Sequence, residues 1–215
     1  GSLPDRLQEA LQKAAPGSQV LNAGVSGDTT AGGRSRLAWS LVAQSNALIV
    51  ALGANDGLRG LAPEQTYANL NAILSAAKKA GLPVLLAGMR APPNLGPEYG
   101  DAFNAVFPRL AAEHNVALYP FLLENVVARP ELNQDDGIHP NAAGVKVIAQ
   151  RLAPGVGGDI PRSYNICQIR DIYNRFRRKH SYSARVRNRL QWLSAKVEAI
   201  AGLAQISSKG LLRVS

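Results

Sequence analysis

Short continuous apolar runs alternate along the chain with longer stretches in which apolar residues recur every three or four positions. The runs predict strands, and the recurring pattern predicts amphipathic helices. The apolar runs predict strands at 47–52, 83–87 and 116–119, and the segment 19–22, with two apolar residues, is also predicted as a short strand. The predicted helices are 3–14, 63–80, 103–114 and 141–152. Strands that alternate with helices favour a parallel sheet with helices on both faces. We therefore predict one α/β domain over residues 1–157.

Glycine-containing polar segments follow the predicted strands. Gly24–Thr30 comes after the first strand, where Asp28 or Thr29 can cap the next helix. Gly53–Gly57 follows the second strand, which we expect to be buried on both faces, and the Pro- and Gly-rich segment 91–101 is predicted as a loop. Because ligands bind where the carboxyl ends of parallel strands meet, these loops predict a site at that edge.

The loop before the last predicted helix contains an aspartate three positions before a histidine. The Asp136 carboxylate can accept the proton on Nδ1 of His139, which leaves Nε2 free to act as a base. Asp and His are also common in turns, so a surface turn with a helix-capping histidine explains the motif as well. Taken alone, the motif leaves both interpretations open.

Two further groups can donate hydrogen bonds to a developing negative charge. The side-chain amide of Asn55 follows a predicted strand, and such amides occur in oxyanion holes. Gly27 precedes a predicted helix, and its backbone N–H can approach a substrate closely. An ordinary turn explains each group separately. An oriented base and two donors on loops of one sheet, however, suit acyl transfer.

Three segments resemble the second, third and fifth sequence blocks of the SGNH (GDSL) hydrolases, in the same order: Asn22–Thr30, Leu52–Asp56 and Asp135–Asn141. The similarity extends over residues 2–155 and points to the thioesterase I, lysophospholipase L1 and arylesterase branch. It implies a flavodoxin-like three-layer α/β/α fold and a Ser-His-Asp triad that hydrolyses carboxylic esters or thioesters without a metal or cofactor. It also implies that His139 is the base, that Asp136 orients His139, and that Gly27 and Asn55 donate hydrogen bonds to the oxyanion.

The resemblance also bears on substrate. Typical substrates of the family are acyl-CoA-type thioesters, lysophospholipids and short aryl or alkyl esters. The loop after the third predicted strand borders the acyl pocket in the family, so Met89, Leu95 and Tyr99 are candidate lining residues, although plain loop packing explains them equally well. His114 is interpreted as a surface histidine at a helix C-terminus.

The family's first block, Gly-Asp-Ser-Leu, carries the nucleophilic serine, and no Gly-Asp-Ser triplet occurs in the 215 residues. In the family this block precedes the helix predicted at 3–14. We therefore expect a chain without that block and without the first strand, and impaired or absent activity. Ser2 is an alternative nucleophile, but it aligns better with the residue leading into the helix. Ser26 is a poorer candidate because it lies in the loop that carries the expected oxyanion donor Gly27.

Charge divides the chain into two regions. Residues 158–215 contain 12 Lys and Arg against 3 Asp and Glu; subtraction from the totals of 24 and 15 leaves 12 of each in residues 1–157. The basic region is predicted to form two amphipathic helices, and it can bind nucleic acid or an anionic membrane. Read-through or frameshifted sequence explains it too. A non-catalytic binding protein is therefore the alternative to an esterase.

Compartment and oligomeric state stay open. The single cysteine, Cys167, cannot form an internal disulfide, so it does not indicate a redox compartment. The longest apolar run, 47–52, is too short to span a bilayer. Family members are often periplasmic or secreted, whereas residues 1–6 show neither the basic start nor the apolar stretch of a signal peptide.

Overall fold

The computed structural model describes residues 2–41 and 45–157. Their centre is a sheet of three parallel strands in the order β1-β2-β3, formed by Leu48–Val50, Val84–Ala87 and Ala117–Tyr119. Leu48 lies opposite Val84, and Leu85 lies opposite Ala117. Each crossover contains a helix, as parallel pairing requires. The predicted parallel sheet is confirmed.

Seven α-helices accompany the strands in the described part of the chain: α1 Leu3–Ala14, α2 Thr30–Ser35, α3 Leu37–Ser40, α4 Ala54–Leu58, α5 Pro63–Lys79, α6 Gly96–His114 and α7 Ala142–Gly157. Two 3-10 turns, Pro93–Leu95 and Pro130–Leu132, complete the elements. The predicted bounds of α1 are confirmed, and those of α5 differ by one residue. No described helix is long and apolar enough to cross a membrane.

The helices cover both faces of the sheet. On one face α1 packs against α7, and both helices pack on β2 and β3. The buried apolar residues of this cluster are Leu7 and Leu11 of α1, Ala149, Leu152 and Ala153 of α7, Leu85 of β2 and Ala117 of β3. Side chains alternate along a strand, so Val84 and Leu86 point to the opposite face. There α6 contacts β2 and β3 and packs on α5. The result is the predicted three-layer α/β arrangement.

The segment 19–22 forms no strand, so that prediction is wrong. Its backbone is tied to α1 instead: the Gln8 side-chain amide donates to the Ser18 carbonyl at 2.9 Å, and the Val20 N–H donates to Gln8 Oε1 at 2.6 Å. Leu21 is 53% exposed. A strand needs a hydrogen-bonded neighbour, and none of the described strands pairs with this segment. The local sequence could not reveal that.

Two further expectations are corrected. β1 is not buried on both faces, because Leu48 and Ile49 are half-buried, and among the described strands it pairs with β2 alone. The segment 91–101 is not a loop, since α6 begins at Gly96 rather than at Phe103. Pro97 misled the prediction: in the first turn of a helix its missing N–H has no intrahelical partner to lose. The predicted helices of 158–215 lie outside the described residues.

Candidate active site

His139 and Asp136 form a hydrogen-bonded pair in the turn before α7. Asp136 Oδ2 lies 2.7 Å from His139 Nδ1. The other carboxylate oxygen, Oδ1, accepts the backbone N–H groups of Ile138 and His139, each at 2.9 Å. One oxygen therefore shapes the turn while the other holds the imidazole. The pairing at Nδ1 leaves Nε2 as the ring nitrogen available to a reacting group.

The same hydrogen bonds keep Asp136 ionised. They lower the pKa of Asp136 from its usual 3.8 to about 2, with the backbone N–H of His139 contributing most, then that of Ile138, then the imidazole. The two side chains remain accessible, at 61% exposure for His139 and 45% for Asp136. The pair therefore presents a solvent-accessible imidazole with a permanent carboxylate on its Nδ1 side at neutral pH.

Two asparagines hold the residues around this turn by hydrogen bonds, and neither was predicted from the sequence to do so. The buried Asn133 donates through Nδ2 to the carbonyls of Val126 and Arg129, at 2.7 and 2.8 Å. Asn141 donates to the Asn133 carbonyl at 3.0 Å, and its Oδ1 accepts the Gly144 N–H at 3.1 Å, at the start of α7. Asn immediately before a helix is a usual capping pattern, so Asn141 could have been found from sequence.

Asn55 is hydrogen-bonded to the loop that carries Gly27. We call residues 23–29 the oxyanion loop. Asn55 Nδ2 donates to the Asp28 carbonyl at 3.0 Å, and Gly27 adopts a left-handed φ of 75° that favours glycine. A side-chain amide has two N–H groups, so the bond to Asp28 uses one and leaves the other for a further acceptor. The structure therefore brings together the two donors predicted from separate segments.

Asp56, next to Asn55, is buried and links Thr30, the residue after the oxyanion loop, to the core. Its carboxylate accepts the backbone N–H of Thr30 at 2.8 Å and also the Thr30 hydroxyl, while the Thr66 hydroxyl lies at 3.4 Å. Asn69 donates to the Thr30 hydroxyl at 3.2 Å. Asp56 is 1% exposed. Because a buried carboxylate needs partners, this network fixes α2 against α4 and α5.

Backbone geometry supports both donor segments. Gly53, at the N-cap of α4, has a φ of 108°, and a Cβ there would lie 2.9 Å from the Phe107 ring. The Thr29 hydroxyl accepts the Gly32 N–H at 3.3 Å, so the prediction that Asp28 or Thr29 caps the next helix is met by Thr29. Gly53 allows the sharp turn between β1 and α4, and the Thr29 cap marks the point at which the oxyanion loop ends and α2 begins.

The other predicted residues lie apart from these contacts. Met89 is buried, Leu95 ends a 3-10 turn, and the Tyr99 hydroxyl donates to the Leu61 carbonyl at 2.8 Å. Their role as pocket lining stays a prediction. His114 ends α6 as expected, but it is half-buried and its Nε2 lies 2.7 Å from Asn71 Oδ1; burial lowers its pKa.

Ser2 is the N-cap residue of α1, and its N–H donates to Asp5 Oδ2 at 2.7 Å. Within residues 2–41 and 45–157 no hydrogen bond joins Ser2 to His139, and none joins the His139–Asp136 pair to the oxyanion loop or to Asn55. Over the same residues, no group of three or more His, Cys, Asp or Glu side chains could hold a metal ion.

An imidazole held by a carboxylate, together with amide donors on the loops of a three-layer α/β domain, is typical of hydrolytic enzymes that act by acyl transfer. Within that class, the chain belongs to the GDSL-like lipase/acylhydrolase family, whose model matches residues 1–147. The family resemblance read from the three sequence segments is confirmed.

Relatives agree with this assignment. The chain is 40% identical over 153 residues to an arylesterase of Vibrio mimicus. The aligned region covers 71% of this chain and 76% of the arylesterase. It is 44% identical over 137 residues to thioesterase 1/protease 1/lysophospholipase L1 of Escherichia coli K12, or 63% of this chain and 66% of that protein. The solved structure of AlinE4, an SGNH-hydrolase family esterase, matches with a TM-score of 0.60 and 42% identity, covering 74% of this chain and 85% of AlinE4.

Proposed function

We propose that this domain hydrolyses carboxylic esters and thioesters through a Ser-His-Asp acyl-enzyme. His139 is the base, Asp136 orients it, and the Gly27 N–H and the Asn55 amide stabilise the oxyanion. The observation that carries this proposal is the 2.7 Å bond between Asp136 and His139 Nδ1, which leaves Nε2 free to act on a reacting hydroxyl. The names of the arylesterase and thioesterase relatives suggest aryl esters and acyl thioesters as substrates.

In this mechanism Nε2 of His139 removes the proton from a serine hydroxyl as the serine oxygen attacks the carbonyl carbon. The carbonyl oxygen becomes negative and accepts hydrogen bonds from Gly27 and Asn55. The tetrahedral intermediate then expels the alcohol or thiol, which takes the proton from Nε2, and water attacks the acyl-enzyme in the same way. Asp136 stays ionised throughout, because its pKa is about 2.

We further propose that the 215 residues by themselves have impaired activity. The family's nucleophilic serine lies in a Gly-Asp-Ser-Leu block, and no Gly-Asp-Ser triplet occurs among them. An enzyme of this mechanism without its nucleophile retains on the order of a thousandfold acceleration over water, from the oxyanion donors and substrate binding. In that slow reaction water attacks the carbonyl carbon directly, and His139 Nε2 takes the proton that the water loses, so the rate still depends on the base. Slow hydrolysis is therefore the activity we expect of this chain.

The test is hydrolysis of p-nitrophenyl butyrate and of a butyryl thioester by the full chain. We expect a slow, linear release without an initial burst, which falls to the buffer rate in Asn55→Ala and in His139→Gln. His114→Gln is the matched control, since it removes a histidine that bonds Asn71 instead of Asp136, and it should keep the wild-type rate. Equal rates in His139→Gln and wild type would refute the proposal.

The second candidate, binding of nucleic acid or an anionic membrane, is favoured by the charge of residues 158–215, with 12 Lys and Arg against 3 Asp and Glu. Attraction to polyanions weakens steeply as salt is added. We therefore expect salt-sensitive retention of the full chain on heparin if this candidate is right. Retention that is unchanged by deletion of 158–215 would exclude it.

A further inference from the structure

A single arginine contacts both ends of the oxyanion loop. Arg36, which follows α2, donates from Nε to Asp28 Oδ2 at 2.7 Å and from Nη1 to the Ala23 carbonyl. Nη1 also lies 3.1 Å from the Ser40 hydroxyl. The side chains of Arg36 and Asp28 are 27% and 14% exposed, so the ion pair is partly shielded from water. Such a pair is less screened than one at the surface.

Asp28 connects Arg36 to Asn55, the second proposed oxyanion donor. Its carboxylate binds Arg36, its carbonyl accepts the Asn55 amide at 3.0 Å, and its N–H donates to the Val25 carbonyl at 3.3 Å. Gly27 lies between the two points that Arg36 holds, Ala23 and Asp28. Arg36 therefore restrains the backbone on both sides of Gly27, whose own carbonyl accepts Arg59 Nη2 at 3.1 Å, and it restrains the residue whose carbonyl the Asn55 amide contacts.

We propose that Arg36 is a positioning residue for the oxyanion site, acting on Gly27 through Ala23 and Asp28 and on Asn55 through the Asp28 carbonyl. The planar guanidinium supplies several N–H groups in a fixed fork, which a lysine ammonium cannot reproduce. The inference rests on the proposed function only where it says what Gly27 and Asn55 bind. The restraint on the loop is independent of that role.

The first test uses butyrate, whose carboxylate imitates the oxyanion, added to the isotope-labelled full chain. The NMR signals of the Gly27 N–H and the Asn55 amide report binding residue by residue. We expect affinity to fall on the order of tenfold in Arg36→Ala, the size expected for loss of a charge-assisted hydrogen bond. Arg36→Lys should not restore it. Arg34→Ala is the matched control, because Arg34 bonds Asn69 and not the loop.

Two additional measurements separate positioning from general destabilisation. Guanidinium ion at tens of millimolar should restore butyrate affinity in Arg36→Ala, whereas ammonium should not. Hydrogen exchange at the Asp28 N–H should accelerate in Arg36→Ala on the order of tenfold, and it should not change in Arg34→Ala. Exchange requires no substrate, so it reports the restraint on the loop directly.

The outcomes distinguish the two proposals. If Arg36→Ala leaves both butyrate affinity and Asp28 exchange at wild-type values, the inference about Arg36 is overturned. If Asp28 exchange accelerates but butyrate never shifts the Gly27 signal in the wild-type chain, Arg36 restrains the loop and the oxyanion role given to Gly27 under the proposed function is wrong. Loss of butyrate affinity with guanidinium rescue supports both.

Discussion

The proposed base and the proposed oxyanion donors are held in opposite ways. Asp136 and His139 are three positions apart in one exposed turn, and their contacts are local. The donor side depends on pairs that are distant in sequence: Asn55 and Asp28 are 27 positions apart, and Thr30 and the buried Asp56 are 26 apart. Hydrogen bonds within a turn can form when that turn is intact, whereas hydrogen bonds between distant segments require the packed core that brings those segments together. Core damage should therefore disable the donors before it disturbs the base.

The largest effect is expected from Asp56→Ala, which removes the acceptor for the Thr30 N–H and hydroxyl in a buried place. Unsatisfied buried donors and a lost charged acceptor together should lower the free energy of unfolding by about 3 kcal/mol. Urea unfolding measures it. Asp135→Ala is the control, because Asp135 is exposed, and it should change stability by less than about 0.5 kcal/mol. Similar losses in the two variants would contradict the account.

An intermediate effect is expected from Gly32→Ala in α2. Alanine favours helix, but its Cβ would lie 1.7 Å from Asp28 Oδ1, so the Asp28 carboxylate that Arg36 binds must shift. Overpacking of this kind costs about 1–3 kcal/mol, more than the gain in helix propensity. Gly100→Ala in α6 is the matched substitution, because no atom lies within 4 Å of its Cβ.

We expect Gly100→Ala to raise the free energy of unfolding by about 0.5–1 kcal/mol. Thermal unfolding of the two variants measures the difference, and the Asn55 amide signal in NMR should shift in Gly32→Ala alone. Equal stabilities, or an Asn55 signal unaffected by Gly32→Ala, would mean that the Asp28 contact with Gly32 does not hold the loop.

The smallest effect on global stability is expected from protonation of Asp136. Its folded pKa, about 2, lies below the usual 3.8, so its hydrogen bonds stabilise the fold above about pH 3.8 and are lost as the pH falls through about 2. The carboxyl carbon signal of Asp136 should titrate near pH 2 in the folded chain and near pH 3.8 in urea. A folded midpoint at 3.8 would show that the turn does not hold the carboxylate.

The same contrast explains what sequence could predict. Asp136 and His139 were found because their chemistry is contained in one short segment. The role of Asp56 was missed, because the Thr30 N–H that it accepts lies far away in sequence and no pattern near Asp56 distinguishes a buried carboxylate from a turn residue. The false strand at 19–22 has the same cause: the local sequence does not reveal whether a neighbouring strand is present.

The beginning of α6 was mistaken for a different reason. Gly96 and Pro97 are turn formers, yet in the first turn of a helix they cost little, and the stacked rings of Tyr99 and Phe103, with centroids 5.8 Å apart, pack this part of the helix. Packing of this kind depends on tertiary contacts and overrides local propensity. The bounds of α1, where apolar spacing and the stop signal agree, were predicted correctly.

We propose that this chain supplies the base and the oxyanion donors of an acylhydrolase, while no Gly-Asp-Ser triplet occurs among its 215 residues. The decisive experiment is treatment of the purified full chain with a fluorophosphonate, followed by intact-mass analysis, with His139→Gln as the control. We expect a folded chain without any His139-dependent adduct. A single adduct that disappears in His139→Gln and maps to Ser2, or to any other serine, would contradict it.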